Sequence, residues 1–246
     1  QQKPAPRRIP SEKQHSKDGS EIITGQKEAI GDIVRQYLLE NPEVVRDSLI
    51  ELERREQLAQ SAQQKQAIVE NKEQIFNSPD DFVAGNPNGD ITLVEYFDYN
   101  CGFCRRAVAD LNRLLEEDPN LRVVLKEFPV LSQGSVEAAR LSMAAVKSGK
   151  YLEFHRALFE IEGGVDGARA LEVAQALGMD VEALATAADS DSSIEVISTN
   201  LQVATQLGIN GTPSYVIGEQ LVIGAVGYDQ LKATIDAERA RMKAGS

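Results

Sequence analysis

The chain's two cysteines, Cys101 and Cys104, are separated by only two residues. They fall between an apolar run with strand character, Ile91–Phe97, and a helical pattern marked by Val108, Leu111, Leu114 and Leu115. Asp118-Pro119-Asn120 ends that pattern, and residues 121–128 read as another strand. The pair therefore sits at a strand-to-helix junction inside a β-α-β unit.

Composition narrows the alternatives. With 26 Lys+Arg against 38 Asp+Glu, the 246-residue chain carries a net charge of −12. A nucleic-acid partner is excluded, because nothing would neutralise phosphates at scale. No stretch approaches the roughly 20 apolar residues that span a bilayer. Two cysteines cannot staple a mini-domain or build a four-cysteine zinc site, and the further nitrogen ligands, His15 and His155, have no zinc-type spacing. Copper(I), which two soft thiolates can hold, stays open on Cys101 and Cys104.

Residues 1–20 carry three prolines, many charges and few apolar residues, and read as a disordered arm. They contain no apolar signal-peptide core, so the chain is expected to be cytosolic or to have lost a leader. Ile30, Ile33, Val34, Tyr37 and Leu38 mark a helix that Asn41-Pro42 stops. A long helix is predicted over 42–76, with a charged and Gln-rich middle suited to a stalk. These spans give an arm over 1–20, a helical oligomerisation stalk over 21–82 and a second domain over 83–246. Within that domain 135–207 is helical in pattern. Ser214–Ile217 and 221–223 read as a hairpin, and 228–243 as a closing helix. The order predicts an α/β thioredoxin fold with a helical insertion at about 134–192.

At a helix N-terminus two intervening residues let both sulfurs face one side of the first turn. The free N–H groups and the helix dipole favour the Cys101 thiolate, which would be the nucleophile. Cys104, one turn inside, would resolve a mixed disulfide. Gly211-Thr212-Pro213 precedes the hairpin. A proline opening a strand after a Gly-Thr turn is a good place for a cis bond, which would lay its backbone against Cys101, although local sequence alone favours an ordinary trans turn proline. Glu95 lies in the apolar strand, where a carboxylate is costly unless paired or protonated. His155 reads as a packing histidine on an amphipathic helix. Phe103 is expected to be exposed beside Cys101.

The run from Glu95 to Cys104, the Lys126-Glu127-Phe128-Pro129 segment, the insertion and Gly211-Thr212-Pro213 resemble the DsbA family of thiol-disulfide oxidoreductases. The helix, Asn-Pro break and long helix ahead of them are similar to the ScsC proteins of bacterial copper-tolerance operons. The resemblance implies a cis Pro213, a Thr212 that tunes the thiols and a Glu95 that assists proton transfer at the inner cysteine. It implies a periplasmic address with the signal peptide removed, homo-oligomers with trimers favoured, and a membrane reductase of ScsB type. No cofactor is implied beyond a redox-active Cys101–Cys104 disulfide. DsbA oxidases carry Pro-His between their cysteines, and here Gly102-Phe103 stands there. The expected disulfide is less oxidising, which favours isomerising or reducing misfolded protein substrates. A monomeric DsbA-like oxidase and a copper(I)-binding thiol protein remain the alternatives.

Overall fold

The computed structural model describes residues 13–245, and the chain divides into two compact units, Gln1–Gln60 and Ser61–Ser246. The first is helical, with α1 (Lys13–Glu40) and the start of α2 (Glu43–Glu70). Pro42 has no N–H to continue α1, and the Asn41 side-chain amide donates to the Tyr37 carbonyl at 2.9 Å, capping the last turn. The arm predicted over 1–20 lies outside the described residues as far as 12. From Lys13 the chain is helical rather than extended. Once a helix is nucleated each added residue contributes a hydrogen bond, so 13–20 need no apolar face of their own. In α1, Ile30, Ile33, Val34 and Tyr37 recur at helical spacing and are all exposed, Ile33 at 67%. Leu49, Ile50 and Leu52 of α2 are exposed too.

The helix predicted over 42–76 is broken once, at Asn71. That side chain donates to the Ala67 carbonyl at 2.9 Å, and a short α3 (Lys72–Phe76) follows. Asparagine competes for backbone groups in this way, and the charged sequence around it gives no warning.

The second unit is built on a five-stranded sheet of order β1-β3-β2-β4-β5. Its strands are β1 (Phe82–Gly85), β2 (Ile91–Phe97), β3 (Leu121–Glu127), β4 (Ser214–Ile217) and β5 (Gln220–Ile223). The central β2 pairs in parallel with β3 through the crossover helix α4 (Gly102–Glu117), and antiparallel with β4. Sequence reading missed β1, a four-residue edge strand that pairs antiparallel with β3. The hairpin turns at Gly218, whose φ of +58° lies in the left-handed region that favours glycine.

The sheet is buried on both faces. Leu93, Phe97, Val123, Leu125 and Tyr215 pack with α4, the closing helix α10 (Tyr228–Ala244) and the insertion. Val94, Tyr96, Val124 and Val216 pack with Ile68, Ile75 and α9 (Asp191–Gln206). The insertion comprises α5 (Gln133–Val146), α6 (Tyr151–Glu160), α7 (Gly167–Ala176) and α8 (Val181–Ala188). Its breaks fall near 148–149, 163–164, 178 and 189–191, as the glycines and serines predict.

On the second face Lys126 forms a fully buried ion pair with Asp81 and also donates to the Gln74 carbonyl. This ties the segment after α3 to the sheet. Lys126→Met should leave the Asp81 carboxylate buried and unpaired, at a cost of about 3–5 kcal/mol. Urea denaturation at neutral pH measures it, and the Asp81→Asn/Lys126→Met double variant should recover part of the loss.

Candidate functional site

Cys101 is the N-cap of α4, in extended conformation with φ −84° and ψ 112°. Its sulfur accepts a hydrogen bond from the Cys104 N–H at 3.4 Å and donates to the Thr212 carbonyl at 3.2 Å. Both cysteines are free thiols. Cys101 is 7% exposed and Cys104 1%. Cys101 is thus more enclosed than its expected role suggests, because the Thr212 backbone lies over its sulfur. The Thr212–Pro213 peptide is cis, as the resemblance implies and the local sequence does not.

Gly102 and Phe103 occupy the first turn of α4 and are exposed, Phe103 at 57%. The Arg106 guanidinium lies over the Phe103 ring, 4.4 Å from its centroid. Val130 and Leu131 are also exposed. Their N–H groups both donate to Asp98 Oδ2 at 2.9 Å, which fixes that loop to the turn before Cys101.

Sequence reasoning missed the network that holds this turn. Buried Asp98 also accepts from the Asn100 N–H at 2.8 Å and the Ser135 hydroxyl at 2.7 Å through Oδ1. Its carbonyl accepts from the Cys101 N–H at 3.0 Å. Asn100 exchanges two hydrogen bonds with the Val165 backbone, at 2.8 and 2.7 Å. Gly134 lets that loop approach α5, since a Cβ there would sit 2.5 Å from the Val165 carbonyl oxygen. The available signal was a pair of polar residues, Asp98 and Asn100, flanking a tyrosine directly after a buried strand.

Glu95 is 4% exposed on the face of β2 that packs with α4. Burial pushes its carboxyl up to about 7, and a hydrogen bond from the Tyr215 phenol opposes that rise. The two residues are direct cross-strand partners. Burial, and next the charge of Glu95, push the Cys104 thiol strongly upward. The structure thus gathers Cys101, Gly102, Phe103, Cys104, Thr212, Pro213 and Glu95 around one helix start. Tyr215 is the member that sequence reasoning did not select.

A second buried cluster lies behind Tyr99. The Tyr99 hydroxyl oxygen is 3.0 Å from Glu127 Oε1, 2.6 Å from Ser142 Oγ and 3.0 Å from His155 Nδ1. Tyr151 donates to the same Glu127 oxygen at 3.0 Å. His155 is a packing residue, ringed by Phe97, Tyr99, Tyr151 and Phe159; burial, followed by the charge of Arg156, takes it down to about 3. Burial raises Glu127 to about 8 against the hydrogen bonds from Ser142, Tyr151 and Tyr99. Among the described residues no group of three or more His, Cys, Asp and Glu is placed to hold a metal ion.

A Cys-x-x-Cys at a helix N-terminus, facing a cis-proline loop on a thioredoxin sheet, defines a thiol-disulfide oxidoreductase. Residues 92–236 match the model of the DSBA-like thioredoxin domain, and 26–59 match that of the copper resistance protein ScsC N-terminal domain. The chain belongs to the DsbA family, in its ScsC-type branch. A thioredoxin-like oxidoreductase from Silicibacter pomeroyi is 42% identical, with 69% of this chain and 98% of that one covered and a TM-score of 0.68. Proteus mirabilis ScsC in a compact conformation is 26% identical over 88% of this chain and 99% of that one, with a TM-score of 0.67. Among curated proteins, the Na(+)/H(+) antiporter NhaA of Herminiimonas arsenicoxydans is 28% identical over 162 residues. The chain spans only 26% of that relative, and no helix among the described residues is long and apolar enough to cross a membrane.

Glu127 carries a stability consequence. Its folded value near 8 lies above the ordinary 4.5, so the folded state holds this proton more tightly than the unfolded chain. The stabilising contribution is complete below about 4.5 and is lost as pH rises through about 8. Glu127→Gln, which needs no proton, should lose less stability over this window than the wild type. Melting temperatures of the two proteins across the range test this.

Proposed function

We propose that the chain is a periplasmic protein disulfide isomerase and reductase of the ScsC type, working within copper tolerance. The observation that carries the reading is the Cys101 sulfur, placed at a helix start and against the Thr212 carbonyl. An extended substrate strand fits beside that backbone, and the exposed Phe103, Val130 and Leu131 offer apolar surface to an unfolded chain.

The Cys101 thiolate attacks one sulfur of a wrong disulfide. The substrate S–S bond breaks, its other sulfur leaves as a thiolate, and Cys101 is joined to the substrate. A second substrate thiolate then displaces Cys101, and no electrons change hands overall. When the substrate stalls, Cys104 gives its proton to Glu95 and attacks the Cys101 sulfur. The substrate leaves reduced, and the Cys101–Cys104 disulfide forms. A membrane reductase of ScsB type returns the two electrons.

The exposed apolar residues of α1 and α2 support self-association, with a trimer favoured. Several active sites would then act on one substrate at high effective concentration. The absence of an imidazole between the cysteines favours isomerisation over oxidation.

Scrambled-ribonuclease recovery and solution mass test this reading together. Cys101→Ser should abolish recovery, and Cys104→Ser should accumulate mixed disulfides with substrate. Ile33→Glu/Tyr37→Glu should yield a monomer with several-fold weaker recovery. A wild-type monomer that oxidises dithiol peptides rapidly and recovers no ribonuclease would identify a DsbA-like oxidase instead.

A further inference from the structure

Tyr215 sits two residues after Pro213, on the first strand of the closing hairpin. It is 1% exposed and lies opposite Glu95 in the β2–β4 register, so both side chains point to the same face of the sheet. Cys104 belongs to the same packed cluster on that face. The strand neighbour of Glu95 on its other side is Leu125, which can offer no hydrogen bond from its side chain. A buried carboxylate needs donors to bear its charge, and the Tyr215 phenol is the hydroxyl that its cross-strand partner brings to that face.

We propose that Tyr215 is a positioning residue for the Glu95 carboxylate and thereby sets the pH at which Cys104 can be deprotonated for resolution. The inference rests on the resolving role given to Cys104 above. Burial keeps the Tyr215 phenol protonated well above its ordinary range, so it acts as a donor throughout the working pH range. The phenol dipole opposite Glu95 favours the charged form of that carboxyl, and losing it raises the carboxyl's proton affinity. The other groups around these three side chains are the Thr212 side chain, the Cys101 sulfur and the Asp98 backbone at Cys104, and the Asp110 charge acting on Tyr215. None of them is a second donor to Glu95.

The test uses the full chain carrying glutathione in mixed disulfide with Cys101, and reads the rate of glutathione release by Cys104 against pH. The wild-type profile should rise with an inflection near the Glu95 value of about 7. Tyr215→Phe should move the inflection up by about one pH unit, an approximately tenfold slower release on the acid side. A monofluorinated tyrosine at position 215, a stronger donor, should move it down, which a merely structural disturbance does not do. In a Glu95→Gln background, Tyr215→Phe should shift nothing further. An unmoved inflection in Tyr215→Phe with the fluorinated protein also unmoved, or a shift that persists without Glu95, overturns the proposal. Failure of the wild-type adduct to release glutathione at any pH overturns the resolving role of Cys104, and the proposal with it.

Discussion

The active site depends on one register, the antiparallel pairing of β4 with β2. Tyr96 lies opposite Ser214, so the residues just after β2 and those just before β4 meet at one end of the sheet. That juxtaposition brings Thr212 to Cys101 across 111 residues of sequence. The same register sets Tyr215 against Glu95 one step further in. A shift of one residue would turn Tyr215 to the other face of the sheet and displace the proline loop from the thiol. The insertion, although long, enters and leaves without disturbing this pairing, since α5 to α9 occupy the chain between β3 and β4.

The thioredoxin order was legible because it rests on strong local signals. These are an apolar strand before the cysteines, glycine breaks in the insertion and a short hairpin near the end. What the sequence could not convey were features set by distant partners. The edge strand β1 exists only because β3 offers it an unpaired side. The break at Asn71 turns on one side-chain hydrogen bond. The enclosure of Cys101 comes from Thr212, and the cis peptide there follows the family resemblance, since the Gly-Thr turn before a strand suits a cis bond without deciding it. Of the buried polar groups, Glu95 stood out as an acid in an apolar strand. Tyr215 did not, because tyrosine is an ordinary strand residue until its cross-strand partner is known.

The acidic chain also handles burial differently on the two faces of its sheet. On the α4 face Glu95 and Glu127 lack a buried cation and are neutralised by protons and hydroxyl donors. On the α3 face Asp81 is met by Lys126 as an ion pair. Proton-holding carboxyls respond to pH, whereas an ion pair mainly fixes position. The reactive thiols lie on the face that responds.

Lys126 and Glu127 are consecutive residues of β3, and their side chains enter opposite faces. Sliding β3 by one residue in one direction would bring an ammonium into the pocket of Tyr99, Tyr151 and His155, and sliding it in the other would bring a second carboxylate toward Asp81. Both misplacements are electrostatically costly, so this dipeptide acts as a key that admits a single alignment of the strand. The chain thereby carries, at the end of an otherwise slippery run of valine and leucine, its own safeguard against a misthreaded sheet.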